Sequence, residues 1–111
     1  MDITHKVSNS INIIQLGGRF DAHEVAPVVA WLKGQAEAGK VNLVVNLAGV
    51  NFIDSTALST LVQGLKHCRE KNGELHLCCM QQPVRVIFEL TRLDKAFSIY
   101  TSEEEATAFQ A

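Results

Sequence analysis

Three polar residues whose side chains could react or bind a ligand, Asp54, Ser55 and Thr56, follow an apolar run and precede a helical pattern. Ligand sites of open α/β sheets lie beyond the carboxyl ends of the strands, and the free N–H groups of a helix start attract anions. Asp54 or Ser55 would equally serve as the N-cap of that helix, since both side chains accept hydrogen bonds from helical N–H groups. The pattern therefore predicts a helix start that is either capped or open to an anion.

The remaining reactive residues form no recognisable catalytic or metal-binding pattern. The flank of Ser55 lacks the Gly-x-Ser-x-Gly sequence of a hydrolase nucleophile, and the four histidines are scattered. Cys78 and Cys79 are adjacent in a predicted strand, so their side chains should point to opposite faces and chelate poorly. No glycine-rich phosphate-binding motif occurs in the sequence. We expect a protein that is not an enzyme and that needs no metal and no other cofactor.

Length and composition indicate one small domain, residues 1–111. Ten basic and 12 acidic residues give a formal net charge of −2. Because a basic excess is missing, nucleic acid is not an expected partner. The apolar runs are too short to span a membrane, and the amino-terminal residues do not form a signal peptide. Three cysteines do not make a disulfide framework. Together with the short apolar runs, this predicts a cytoplasmic protein without membrane insertion.

The elements that would position Asp54 alternate between strands and helices. Strands are predicted near residues 3–7, 11–16, 41–47, 75–80 and 97–100, and helices begin after residues 21, 54, 82 and 102. The order β-β-α-β-α-β-α-β-α predicts an α/β fold: a mixed, mostly parallel sheet of about five strands with four helices.

Apolar spacing also predicts which side chains are buried. Val29 belongs to the apolar stripe of the first helix, and Leu90 to that of the third. Residues 49–54 are predicted to form a loop that turns Phe52 and Ile53 inward.

At Asp54-Ser55-Thr56-Ala57-Leu58 the sequence resembles the STAS domain, the module of bacterial anti-sigma factor antagonists and of sulphate-transporter tails. The resemblance covers nearly the whole chain. It rests on four segments: Leu16–Asp21, Val44–Leu47 with Phe52–Leu58, Val84–Asp94, and Phe97–Tyr100 with Ser102–Ala106. It implies a mixed sheet with helices packed on it, in agreement with the order of elements.

The resemblance also implies a function for Ser55. Stand-alone members of the family bind an anti-sigma factor that is a serine/threonine kinase of the histidine-kinase-like ATPase type. That kinase phosphorylates the serine of an Asp-Ser motif, which corresponds to Ser55 here. Phosphorylation breaks the complex, so that the anti-sigma factor returns to its sigma factor, and a serine phosphatase resets the switch. An alternative within the family is a stand-alone subunit that braces the ATPase of an ABC-type lipid transporter.

The resemblance and the exposed face of the second helix together imply a partner-binding surface. Its expected residues are Asp21, His23, Glu24, Asn51, Asp54, Ser55, Thr56, Ser59 and Gln63. An exposed edge strand near the opening hairpin would also allow a homodimer.

Overall fold

The computed structural model of the chain describes residues 1–109. Its elements are β1 (Asp2–Ser8), β2 (Ile11–Phe20), α1 (Ala26–Glu37), β3 (Asn42–Ile53), α2 (Ser55–Glu70), β4 (Glu74–Cys78), α3 (Gln82–Leu90), a 3₁₀ turn (Leu93–Lys95), β5 (Ser98–Tyr100) and α4 (Glu103–Ala106). The predicted fold class and order of elements are confirmed. The last two residues of the predicted domain, 110 and 111, lie outside the described residues.

The five strands form one sheet in the order β1-β2-β3-β4-β5. Only β1 and β2 pair antiparallel, and the other neighbours are parallel. The turn between β1 and β2 consists of Asn9 and Ser10, both with positive φ, as a two-residue type I′ turn requires. Because every parallel crossover advances in the same direction with the same hand, α1, α2 and α3 cover one face of the sheet.

The main core lies between the sheet and these three helices. It is built around fully buried residues such as Phe20, Leu61 and Phe88. The rings of Phe88 and Phe97 meet edge to face with their centroids 5.8 Å apart, which fastens α3 to the segment before β5. This layer supports the carboxyl ends of β2 and β3.

The opposite face of the sheet carries a smaller apolar cluster, which α4 covers. Next to it, Glu103 Oε2 accepts hydrogen bonds from Gln15 Nε2 and Asn46 Nδ2, each at 2.7 Å. Its Oε1 lies 2.5 Å from Lys6 Nζ. Burial raises the pKa of Glu103, but the hydrogen bonds from Lys6, Asn46 and Gln15 outweigh burial and hold the pKa below its usual value. One ionised carboxylate thus joins α4 to three strands.

The strand β3 is longer than predicted, and the prediction of a loop at residues 49–54 is wrong. β2 continues to Phe20, and its last residues pair with β3 as far as Ile53. The two backbones approach so closely that a Cβ on Gly49 would lie 2.8 Å from the Cα of Gly17. Ile53 is buried as expected, whereas Phe52 is 38% exposed beneath the guanidinium of Arg19, 3.9 Å from its ring centroid.

Three further side chains depart from the pattern. Val29 is 44% exposed and Leu90 is 76% exposed, because the core covers less of α1 and α3 than their apolar stripes suggest. Cys79 follows β4 with φ 66°, and both it and Cys78 join the small apolar cluster. Burial is the main cause that raises the pKa of Cys78, and its hydrogen bond with Cys79 acts in the same direction. The left-handed residue thus ends the alternation that placed the two thiols on opposite faces.

We expect Gly73→Ala to destabilise the fold. A Cβ at Gly73 would lie only 2.0 Å from the carbonyl oxygen of Val41, and that backbone also receives a hydrogen bond from Glu74 N–H. The free energy of unfolding should fall by about 2–3 kcal/mol, the order of an overpacked site. The matched control is Gly34→Ala in α1, where a Cβ meets nothing within 4 Å. It should gain about 0.5–1 kcal/mol. Urea unfolding measures both, and equal stabilities would contradict the packing argument.

Candidate functional site

The carboxylate of Asp54 organises the end of the sheet at which β2 and β3 finish. Asp54 is the N-cap of α2, and its Oδ1 accepts a hydrogen bond of 2.9 Å from Ala57 N–H. Its Oδ2 accepts another of 2.9 Å from Ala22 N–H, in the loop between β2 and α1. Asp54 N–H in turn donates to Phe20 O at 3.3 Å. The start of α2 and the loop before α1 are therefore held together by one residue.

The loop before α1 is shaped by a second carboxylate, Asp21. Its side chain is only 12% exposed. Oδ1 accepts a hydrogen bond from His23 N–H at 3.1 Å, and Oδ2 lies 3.4 Å from Arg19 Nε. Arg19 also stacks on Phe52 and so connects this loop to the end of β3. Asp21 is thus largely buried, and it contributes to the predicted surface by fixing the conformation of its loop.

The pKa of Asp54 lies below its usual value. The hydrogen bond from Ala57 N–H is the largest cause; desolvation opposes it, and the N–H groups of Ala22 and Thr56 add to the lowering. Asp54 is therefore ionised at neutral pH. Of the two alternatives for this helix start, the structure has the capped one, and the N–H groups available to an anion already face a carboxylate.

Ser55 is the first residue of α2, and both Ser55 and Thr56 are exposed. One and two turns further along the helix, Ser59 and Gln63 are exposed as well. These positions recur every three or four residues, so they share one face of the helix. The face is opposite to the buried residues Leu58, Leu61 and Leu65 that fix α2 on the sheet.

A groove runs along each side of this exposed face. One groove, of about 280 Å³, lies towards the 3₁₀ turn and is lined by Ser55, Leu58, Ser59, Val62, Gln63 and Leu93. The other, of about 400 Å³, lies between α1 and α2, with the exposed Val29 on its α1 side and Thr56, Ser59 and Gln63 on its α2 side. Ser59 and Gln63 therefore form a ridge between two depressions, and Ser55 stands at its amino-terminal end.

The remaining predicted residues lie around the same end of the sheet. His23 is exposed beside Asp21, and Asn51 is exposed near the end of β3. Glu24 Oε1 lies 3.4 Å from the amino group of Met1. Sequence reasoning missed Arg19 and Phe52, which are neighbours across the β2–β3 pairing. The contact depends on the extension of β2 past its two glycines, which the sequence pattern did not indicate.

Residues 1–109 contain no cluster of three or more histidine, cysteine or acidic side chains that could hold a metal ion. None of the helices in this part of the chain is long and apolar enough to cross a membrane. The site consists of an ionised cap, an exposed serine and two open grooves.

Comparison with known proteins identifies the family to which the chain belongs. The STAS domain family matches residues 2–106. BtrV of Bordetella bronchiseptica, which bears the name of an anti-sigma factor antagonist, is 28% identical over 108 residues, or 97% of this chain and 93% of BtrV. The chain therefore belongs to the STAS domain family.

Solved structures agree with this fold. A crystal structure of a Thermotoga maritima protein, also described as an anti-sigma factor antagonist, superposes with a TM-score of 0.88 at 23% identity, covering 94% of this chain and 90% of that one. The Bacillus cell fate determinant SpoIIAA, in its phosphorylated form, has a TM-score of 0.76 at 20% identity, covering 95% of this chain and 96% of that one.

We expect Asp54→Ala to lower the melting temperature by a few degrees at neutral pH, because two N–H groups lose their acceptor. The folded pKa of Asp54 is lowered, so its stabilisation is present above the unfolded pKa of about 4 and is lost as the pH falls through the folded value. The difference from wild type should therefore shrink in acid. Thermal unfolding between neutral and acidic pH measures it.

The matched control is Asp54→Asn. An amide keeps one acceptor oxygen for Ala57 N–H but loses the second acceptor for Ala22 N–H, so its melting temperature should lie between the other two. A wild-type advantage that stays constant into acid would contradict the role of the ionised carboxylate.

Proposed function

We propose that this chain is an anti-sigma factor antagonist whose binding to an anti-sigma factor is controlled by phosphorylation of Ser55. The observation that carries the proposal is the position of Ser55: an exposed hydroxyl at the first residue of α2, on a ridge between two grooves. The name of the relative BtrV supports the antagonist role. The fold is also that of SpoIIAA, a protein described in both unphosphorylated and phosphorylated forms.

In this proposal the partner is the catalyst and this chain is its substrate. The anti-sigma factor is a serine/threonine kinase of the histidine-kinase-like ATPase type that binds ATP. Ser55 Oγ attacks the γ-phosphorus, the bond from that phosphorus to the β-γ bridging oxygen breaks, and ADP leaves. The hydroxyl proton passes to a base of the kinase. Asp54 does not serve as that base, since its oxygens are engaged by backbone N–H groups and its pKa is lowered.

The unphosphorylated ridge would be the docking surface. Ser59 and Gln63 offer polar contacts, and the two grooves beside them accept side chains of the partner. His23, Glu24 and Asn51 extend the surface around the end of the sheet. Thr56 lines the wider groove, where it would contact the partner.

A phosphate on Ser55 would act at this surface without unfolding the domain. It adds a charge of about −1.5 to −2 next to the ionised Asp54. Because Asp54 already holds N–H groups at the start of α2, the phosphate gains little from them and is directed outward. The added charge and bulk then stand where the kinase docks. A serine phosphatase, which reaches the exposed ester, restores binding, and all components act in the cytoplasm.

We expect affinity capture in native lysate, before ATP is added, to recover a kinase of this class with the wild-type chain and with Ser55→Ala, whereas Ser55→Asp recovers at least tenfold less. The added carboxylate imitates part of the phosphate charge. The matched control is Ser10→Asp, which makes the same change in the exposed turn between β1 and β2, at the other end of the sheet. It should bind like wild type. After ATP is added, mass spectrometry should find phosphate on Ser55 of the wild-type bait, and only Ser55→Ala should retain the kinase fully.

Circular dichroism separates the proposed surface effect from unfolding. Ser55→Asp should keep the helical signal of wild type, and a large loss of that signal would contradict a local switch. Equal recovery of a transporter ATPase by all four baits would also overturn the proposal. It would favour the alternative of a bracing subunit of an ABC-type lipid transporter, in which Ser55 is an ordinary helix residue.

A further inference from the structure

The strand β1 lies at the edge of the sheet, and its pairing with β2 shows which of its backbone groups point outward. Within residues 1–109 it pairs with β2 alone. In a two-residue hairpin the flanking residues, here Ser8 and Ile11, exchange both hydrogen bonds. Because hydrogen-bonded pairs alternate along an antiparallel ladder, the backbone N–H and C=O groups of Lys6, Thr4 and Asp2 then point towards β2. The N–H and C=O groups of Ile3, His5 and Val7 therefore point away from the sheet and remain available to another strand.

The side chains on β1 are arranged symmetrically about Thr4. Asp2 and Lys6 lie two residues before and after it, on the same face of the sheet, and all three are exposed. If a second β1 lies antiparallel with Thr4 opposite Thr4, Asp2 of each copy faces Lys6 of the other. The strand is thus complementary in charge to itself in one particular register, and opposite charges directly across strands are stabilising.

We propose that two copies of this chain associate through β1, antiparallel and with Thr4 on the two-fold axis, into one ten-stranded sheet. This register pairs Ile3 with His5, both of which have outward backbone groups, so the hydrogen bonds and the charges agree on one alignment. In the alternative register that places His5 on the two-fold axis, His5 faces His5 and Lys6 faces Thr4, so no ion pair forms.

The surroundings of the strand fit this occupant. On the helix side, His5 stacks on Trp31 with ring centroids 6.1 Å apart, and this pair forms a shelf for Ile3 of the second copy. On the other side, Lys6 Nζ binds Glu103, and the Lys6 side chain is still 44% exposed. Lysine commonly protects a sheet edge from pairing, because an incoming strand must accommodate its charge. Here the second copy brings Asp2 to that charge.

The dimer would leave the proposed phosphorylation site free. The two-fold axis runs perpendicular to the sheet, so the helices of both copies lie on one face and the two Ser55 residues lie at opposite ends. The interface consists of one strand from each copy, which is smaller than most stable dimer interfaces. We therefore expect reversible association at micromolar or higher concentrations that weakens as salt screens the two ion pairs.

Sedimentation velocity of the full chain at low salt, over a range of concentrations, tests the proposal with two variants. Asp2→Lys places two lysines opposite each other twice, and Lys6→Glu does the same with two acids. Each should weaken self-association about tenfold or more. An equimolar mixture of the two variants restores both ion pairs and should dimerise again. Because folding defects cannot be rescued by mixing, recovery in the mixture identifies the interface. Variants that self-associate like wild type would overturn it.

Disulfide trapping tests the register independently. Thr4→Cys places two cysteines directly opposite, within the Cα separation that a disulfide needs, and should form a covalent dimer under mild oxidation. The matched control is His5→Cys, whose two copies would be offset by two residues and too far apart to cross-link. Cross-linking of His5→Cys but not of Thr4→Cys would contradict the proposed register. A wild-type chain that stays monomeric up to about 1 mM, a concentration that detects even millimolar affinities, would contradict the dimer itself. Neither result would bear on the role of Ser55.

Discussion

The geometry at the end of the sheet where β2 and β3 finish depends on one carboxylate with two acceptor oxygens. Asp54 Oδ1 caps α2, and Asp54 Oδ2 holds the loop that leads into α1. The cap alone would fix only the start of one helix. The second hydrogen bond joins the start of α2 to the β2–α1 loop, although Asp54 and Ala22 are 32 positions apart in the sequence. The exposed Ser55 and the loop before α1 meet at that junction, while the buried leucines of α2 hold the helix on the sheet.

A related device secures the opposite face of the sheet. α4 has only four residues, too few to be stable by itself. It persists because Ser102 caps it and because Glu103 accepts hydrogen bonds from two strands and pairs with a third. The domain thus has three helices on one side of the sheet and, on the other, the short helix α4 over a small apolar cluster. Ionised carboxylates that bind specific donors complete both layers.

The features that could be predicted from sequence are those that depend on neighbouring residues. The start of α2 and the Ser102 cap follow from patterns spanning four residues, and the buried strands follow from apolar runs. The length of β3 could not be predicted, because it depends on Gly17 and Gly49 meeting across two strands. Phe52 has an ordinary apolar signal, and only the distant Arg19 explains its exposure. Likewise Cys79 leaves the strand alternation through its φ of 66°, a left-handed conformation that is uncommon for residues other than glycine.

The occupied helix start also explains why a switch built on Ser55 would be read by a partner rather than by the fold. A phosphate at an uncapped helix start would gain several N–H donors and could reorganise the first turn. Here Asp54 already provides a negative charge at that position and satisfies the donors of two segments. A second anion therefore finds repulsion on its inner side and water on its outer side. A phosphate on Ser55 would therefore project outward, and it would change the charge and shape that a docking protein meets.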